Sequence, residues 1–280
     1  MKVAAIHDLS GFGRCSLAVI IPTLSSMGIQ VCPVPTAVFS THTGGFGEVV
    51  FKDLTDYIIP CYKRYKELKI EFDAVYSGFL ASSAQIDGCL EFFGGYKNAL
   101  KVADPVMGDH GKLYRTYTKE LCARMSELVR VADVITPNLT EAAILLGEDF
   151  PVSLNHNAAK SWLARLCEHA GTAVITGVPM ADGRMCNIGL DRDNGGYWRV
   201  NYEYIPVKYP GTGDIFASAL TGGLLSGDSL PLAINRATAF TQIAVKTAYG
   251  YGSEPRDGVM LESALPWLNS GATLSEYEKL

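Results

Sequence analysis

Residues 210–224 read Pro-Gly-Thr-Gly-Asp-Ile-Phe-Ala-Ser-Ala-Leu-Thr-Gly-Gly-Leu. Ile215, Phe216, Ala219, Leu220 and Leu224 recur at helical spacing, so the second half of the stretch is a helix with one apolar stripe. The two glycines ahead of it permit backbone conformations that turn several N–H groups toward one point at the helix start, which is an anion hole. If the anion is the terminal phosphate of a nucleotide, the charge developing in transfer meets N–H donors and the positive helix end. Asp214 then stands where it takes the proton of an attacking hydroxyl. The same residues also make an ordinary turn in which Asp214 is an acidic first-turn residue favoured by the helix dipole, and local physics leaves both readings open.

Upstream of this turn, short β-branched apolar runs alternate with longer segments of helical period, the pattern of βα units that build a parallel sheet. Strands are expected near residues 2–7, 29–35, 73–77, 100–104, 132–136 and 172–176. Phe51, Leu54, Ile58, Tyr62 and Tyr65 fall at spacings of three and four, which predicts a helix over 50–68. Residues 183–190 and 196–205 read as an antiparallel pair around the polar turn at Asp191–Gly196, toward a sheet edge. Residues 232–248 read as a further helix. No repeat, low-complexity tract or linker divides the chain, so 1–280 is taken as one domain, an α/β fold of three layers with a mainly parallel central sheet.

Composition narrows the function. With 48% apolar and 19% charged residues the chain can bury a large core, and its net charge of -5 gives no general attraction to nucleic acid or anionic lipid. The only apolar run near the start, Val3–Ile6, is too short for a secretory signal, and a soluble cytoplasmic protein is expected. Seven cysteines spread singly without a C-x-x-C pair fit reduced thiols.

Ligands of open α/β sheets collect outside the carboxyl ends of the strands, where the loops converge. Four polar clusters fall at such ends: Asp8–Arg14, Asp104–Asp109, Thr136–Glu141 and Gly211–Asp214. No G-x-x-x-x-G-K-[ST] occurs, since Gly111-Lys112 is followed by Leu113. Gly11-Phe12-Gly13-Arg14-Cys15-Ser16 has Ser16 in place of the third glycine of a dinucleotide loop, and no acidic residue ends the second strand. In Asp104-Pro105-Val106-Met107-Gly108-Asp109, two carboxylates offer hard oxygens that suit Mg2+, although Asp104 could equally cap a turn. Thr136-Pro137-Asn138-x-x-Glu141 has the form of a capping box, a role compatible with service to a metal and phosphate.

Taken together, G-T-G-D at 211–214, D-P-V-M-G-D at 104–109 and T-P-N-x-x-E at 136–141 resemble the ribokinase superfamily, and within it the kinases of pyridoxal, pyridoxine and pyridoxamine. The resemblance spans essentially the whole chain and implies a ribokinase-like α/β/α fold. No insertion between Asp8 and Phe51 offers the separate β lid of the sugar kinases. It implies that Asp214 is the general base and that Gly211, Thr212 and Gly213 surround the transferred phosphate. Asp104, Asp109, Asn138, Glu141, Thr176 and Thr212 would then serve ATP, with Asp104 and Glu141 on the Mg2+ side. Gly177 stands where the family often has serine after the nucleotide-contacting threonine.

For the acceptor, Phe39-Ser40-Thr41-His42-Thr43-Gly44 is similar to the F-S-N-H-T-G of pyridoxal kinases, which implies substrate contacts at His42 and Thr43. Ser77-Gly78-Phe79 is similar to their S-G-Y, whose aromatic residue stacks on the ring. His42 could also be a hydrogen-bonded loop residue, and Phe79 a core residue. The first loop, His7-Asp8-Leu9-Ser10-Gly11-Phe12-Gly13, is closer to the S-D-x-S-G-G-A-G of hydroxymethylpyrimidine kinases, with Asp8 or Ser10 meeting the substrate ring. The resemblance therefore implies phosphorylation of a B6 vitamer's hydroxymethyl group, with a hydroxymethylpyrimidine or its phosphate as the alternative acceptor. It further implies a homodimer and a monovalent cation such as K+. A non-catalytic B6-phosphate carrier is the alternative of another class, and the intact anion loop with Asp214 argues against it.

Overall fold

The computed structural model describes residues 1–114, 117–270 and 275–280. The strands are β1 (Lys2–Phe12), β2 (Gln30–Thr41), β3 (Phe51–Asp53), β4 (Ala74–Ser77), β5 (Leu100–Ala103), β6 (Gly108–Asp109), β7 (Lys112–Leu113), β8 (Val134–Ile135), β9 (Thr172–Pro179), β10 (Met185–Asp191), β11 (Gly196–Tyr202) and β12 (Glu278–Lys279). The helices are α1 (Leu17–Ser26), α2 (Thr55–Glu67), α3 (Ser83–Gly95), α4 (Lys119–Val129), α5 (Leu139–Leu146), α6 (His156–Cys167), α7 (Thr212–Leu225), α8 (Leu230–Gly250) and α9 (Leu261–Ala264).

One sheet of order β12-β11-β10-β9-β8-β5-β4-β1-β2-β3 forms the middle layer, and β6 pairs with β7 in a separate hairpin. The pairings from β2 through β1, β4, β5 and β8 to β9 are parallel. Antiparallel strands flank this block, β3 on one side and β10, β11 and β12 on the other. The architecture is the ribokinase-like α/β/α fold that the motifs imply.

Burial on both faces explains why the central strands read as unbroken apolar runs. Along β1, Ala4 and Ile6 enter one core while Val3 and Ala5 enter the other, the two-residue period of a strand. The first core packs the sheet against helices α2 to α6, through residues such as Ile58, Phe92, Met125 and Leu163. The second packs it against α1, α7 and α8, through Leu24, Ile215 and Phe240. The stripe expected after Asp214 joins this core, but α7 is buried on every side from Ile215 to Gly223, with Leu224 half-buried. All seven cysteines are unpaired, and all but half-buried Cys32 are buried.

Three elements differ from the sequence expectation. The helix expected over 50–68 begins only at Thr55, because Phe51–Asp53 pairs antiparallel with β2 and the Asp53 carboxylate accepts the Thr55 N–H at 2.8 Å. Phe51 therefore stacks on Phe39 across the strands, 5.8 Å between centroids, and is largely exposed. The first strand does not end near His7 but continues to Phe12, and β2 continues to Thr41 beside it. The register slips between His7 and Leu9, an irregularity of the kind that redirects side chains at the ends of sheets. Finally, β12 covers the outer side of β11.

Phe92 is fully buried and meets Tyr62 edge-on at 5.3 Å, so Phe92→Ala is expected to cost about 3–5 kcal/mol. Phe51→Ala, on the short edge strand, is expected to stay within about 0.5 kcal/mol of the parent. Urea unfolding of the two variants checks both figures, and reversal of their order would contradict the assignment of Phe51 to a strand.

Candidate active site

The carboxyl ends of the parallel strands gather the polar clusters. From β1 comes His7, buried, whose Nε2 lies 3.1 Å from Asp214 Oδ1 and whose Nδ1 lies 2.9 Å from Asp8 Oδ1. The register slip in β1 lets neighbouring His7 and Asp8, which a regular strand would send to opposite faces, meet side by side. Ser10 donates from Oγ to Asp8 Oδ2 at 3.3 Å. On the other oxygen of Asp214, the Ser16 backbone N–H donates to Oδ2 at 2.7 Å. Ser16 is held at φ 56°, the left-handed region that favours glycine, at a cost of order 1–3 kcal/mol. The residue that broke the dinucleotide motif is thus the one that presents its amide to Asp214.

Gly211 precedes α7 at φ 81°, and a Cβ there would run into the carbonyl of Arg14. Gly213 has open space around its missing side chain, so a ligand can approach the backbone there. Thr212 donates from Oγ1 to the Tyr209 carbonyl at 3.3 Å, and Ser218 donates to the Asp214 carbonyl at 2.6 Å. Nothing in the turn covers the first N–H groups of α7 with a side-chain cap. The helix start is free to receive an anion.

Burial opposes the charge of His7, but the carboxylates of Asp214 and then Asp8 outweigh it and push its pKa from 6.5 up to about 10. His7 is the residue that the motifs did not single out. The signal for it is indirect, because a Cβ on Gly78 would strike the His7 ring, so the glycine of Ser77-Gly78-Phe79 is the space the imidazole occupies.

Asp104, at the end of β5, and Glu141, in the first turn of α5, are both buried. Burial first and the neighbouring Asp214 second push Asp104 from 3.8 up to about 7. Burial and Asp104 likewise drive Glu141 well above the usual carboxylate range. The capping box is formed: Asn138 Oδ1 accepts from the Glu141 N–H at 3.0 Å, and Glu141 Oε2 accepts from the Asn138 N–H at 2.8 Å. Glu141 Oε1 also accepts the Met107 N–H at 3.0 Å, and Asn138 Nδ2 donates to the Gly108 carbonyl at 2.8 Å. The cap therefore ties α5 to the Asp104–Asp109 segment. Of the two buried acids only Asp104 feels a cation, the His7 ring, and together they offer hard oxygens of the kind suited to Mg2+, which completes its shell with water and phosphate oxygens. Among the described residues no group of three or more His, Cys, Asp or Glu side chains is placed to hold a metal.

The remaining expected residues lie as follows. Asp109 is exposed on the β6–β7 hairpin, with Oδ2 3.1 Å from His110 Nε2. Thr176 bridges Asn138 in parallel, its N–H donating to the Pro137 carbonyl at 3.0 Å. The next residue, Gly177, sits at φ 67°, where a serine would be strained. His42 has both ring nitrogens occupied: Nδ1 accepts the Gly44 N–H at 3.0 Å, so Nε2 donates to the Arg256 carbonyl at 2.6 Å. Thr43 beside it is exposed, and Phe79 is half-buried, edge-on to Tyr117 at 6.1 Å.

This fold, with a glycine turn and a carboxylate at the head of one helix and paired acids across the strand ends, defines a ribokinase-like small-molecule kinase. A family model described as phosphomethylpyrimidine kinase matches residues 21–257, and the chain belongs to that family. It is 42% identical to a protein of Bacteroides thetaiotaomicron VPI-5482 assigned to the phosphomethylpyrimidine kinases, over 100% of this chain and 99% of that one, with a TM-score of 0.95; that crystal form contains pyridoxal. It is 30% identical to the pyridoxal kinase of Lactobacillus plantarum, over 96% of each chain, with a TM-score of 0.87. The pyridoxal kinase PdxY of Leifsonia xyli subsp. xyli is 29% identical over 231 residues, 79% of this chain and 80% of that protein.

Because the folded state holds the Asp104 proton more tightly than the unfolded chain does, stability falls as pH rises from 3.8 toward about 7. Asp104→Asn is therefore expected to melt at a higher temperature than the parent above pH 7 without divalent cation, with the difference vanishing below about pH 4. Thermal melts across that range check the sign.

Proposed function

We propose that the protein is an ATP-dependent kinase that phosphorylates the 5'-hydroxymethyl group of pyridoxal, pyridoxine and pyridoxamine, in vitamin B6 salvage. The observation that carries this reading is the placement of Asp214, fixed by His7 and the Ser16 amide at the head of an uncapped α7 just behind Gly211. The relatives support the substrate class: the Leifsonia and Lactobacillus proteins are named pyridoxal kinases, and the Bacteroides protein, assigned to the phosphomethylpyrimidine kinases, was crystallised with pyridoxal.

In this reading the acceptor's hydroxyl lies between Asp214 and the γ-phosphate of ATP. Its proton passes to Asp214, its oxygen forms the new bond to phosphorus, and the bond from phosphorus to ADP breaks. The N–H groups of Gly211, Thr212 and Gly213 meet the charge on the transferred phosphoryl group. Magnesium, when bound, supplies neutralisation of the nucleotide phosphates, and Asp104 and Glu141 would hold it on that side. Asp109, Asn138, Thr176 and Thr212 would line the nucleotide. Asp8 or Ser10, with His42, Thr43 and Phe79, would face the ring; His42 acts there by shaping the loop, because its nitrogens are engaged by backbone. One catalytic domain, a homodimer, a monovalent cation such as K+ and a cytoplasmic location belong to the same proposal.

A hydroxymethylpyrimidine is the second acceptor, favoured by the family match and by the Asp8–Gly13 loop. Turnover of ATP and Mg2+ with each B6 vitamer and with hydroxymethylpyrimidine, on the purified chain, tests the choice. Phosphorylation of the pyrimidine alone would overturn the B6 assignment. Asp214→Ala is expected to lower kcat on the order of 10²-fold or more with a smaller change in the KM for ATP. Turnover near that of the parent would remove Asp214 from its role.

A further inference from the structure

The geometry points to His7 as a positioning residue that couples the acceptor pocket to the catalytic carboxylate, by bridging Asp8 and Asp214 through its two ring nitrogens. This inference rests on the kinase reading of Asp214, and goes beyond it to a residue to which the sequence motifs gave no role. The chain of contacts is continuous: Ser10 Oγ to Asp8 at 3.3 Å, Asp8 to His7 Nδ1 at 2.9 Å, His7 Nε2 to Asp214 at 3.1 Å, and Asp214 to the Ser16 N–H at 2.7 Å. It joins both sides of the register slip in β1 to the first turn of α7.

Three further features show that the ring is held in place for this contact. His7 is 2% exposed, so solvent cannot substitute for either partner. Gly78 leaves the volume that the imidazole fills, since a Cβ there would overlap Cδ2 and Nε2. Ser16 accepts a left-handed backbone and still presents its N–H to the other oxygen of the same carboxylate. The carboxylate is therefore gripped on both oxygens, and only its remaining lone pairs are open to an incoming alcohol.

The charged groups around His7 are Asp8 from β1 and Asp214 from α7, both in contact with the ring, and Asp104 from the end of β5, near enough to feel its charge; Pro35 of β2 and Gly78 after β4 bring no charge. Three acids thus bear on one imidazole. The Asp8 backbone N–H lies 2.9 Å from Nδ1 and would suit a neutral ring, but the flanking carboxylates favour the imidazolium, which donates from both nitrogens. An imidazolium has no site for a further proton. His7 therefore orients Asp214 and offsets its charge rather than relaying the proton that Asp214 receives.

The test uses the full chain. His7→Leu is expected to lower kcat roughly tenfold to a hundredfold, the range for outer partners that orient a reactive group, with the KM for ATP within about twofold of the parent. His7→Gln, which restores a donor toward Asp214, should recover part of the loss, and Gly78→Ala should reproduce it by displacing the ring. A second readout needs no turnover. In the parent labelled with 15N-histidine, the His7 ring should remain doubly protonated until about pH 10, and it should titrate at lower pH in Asp214→Asn and in Asp8→Asn. Parent-like kcat in His7→Leu, or a His7 ring that is neutral at pH 7.5 in the parent, overturns the coupling while leaving the kinase assignment intact. If the parent phosphorylates no B6 vitamer, the substrate assignment fails instead, and the nitrogen spectra alone decide whether His7 bridges the two acids.

Discussion

The structure depends on one contact more than any other: the carboxylate of Asp214, gripped by His7 and by the Ser16 amide, residues 207 and 198 positions away in the chain. It fastens the first strand of the sheet and the start of α1 to the head of α7. The fold brings four ionisable groups, Asp8, His7, Asp214 and Asp104, to one mostly buried corner. Like charges in such a place are costly, and only the imidazole offsets them, which is why Asp104 is forced toward protonation while His7 holds its proton. A corner built for stability alone would contain apolar side chains. This one retains its acids, as sites that must handle cations and moving protons do.

Around that contact the backbone bends to fit. Gly211 and Gly78 are glycines for different reasons. Gly211 needs both its left-handed φ and the absence of a Cβ against Arg14, whereas Gly78 needs only to stay out of the way of His7. Ser16 takes on the strain that a glycine would avoid. The register slip between His7 and Leu9 lets the consecutive side chains of His7 and Asp8 meet each other. Each is a local irregularity set against an otherwise regular sheet, and all of them converge on the same carboxylate.

This pattern explains what the amino-acid sequence disclosed and what it withheld. The parallel core was legible because strands buried on both faces are apolar at every position, as Val3 to Ile6 and Val174 to Ile175 are. The glycine turn before α7 was legible because glycine spacing before an apolar stripe is a local signal. The Phe51 region misled because Phe51, Leu54 and Ile58 satisfy a helical period by spacing alone, whereas the decisive influence is a tertiary one, pairing with β2. His7 was invisible for a related reason. A histidine beside an aspartate within a strand has no distinguishing neighbour pattern, and its partner in α7 lies far along the chain. The slip that makes His7 and Asp8 adjacent arises from pairing, which a linear pattern does not record.

The two ends of the site are built with unequal rigidity. On the proposed nucleotide side, Glu141 and Asn138 are locked by reciprocal backbone bonds and by ties to Met107 and Gly108, so both are fixed before any ligand arrives. Near the acceptor, the loop at the end of β2 leaves Thr43 exposed, and Phe79 is half-buried. In phosphoryl transfer, alignment of the nucleotide and the base is common to every acceptor, while recognition of the acceptor ring is separable from it. On the proposed reading, a site with a fixed nucleotide half, a fixed base and a more open acceptor half can change its alcohol without rebuilding its chemistry. That division fits a chain that matches a family model described as phosphomethylpyrimidine kinase and is also similar to proteins named pyridoxal kinases. It also places His7 at the boundary, where Asp8 on the acceptor side and Asp214 on the reacting side meet through a single ring.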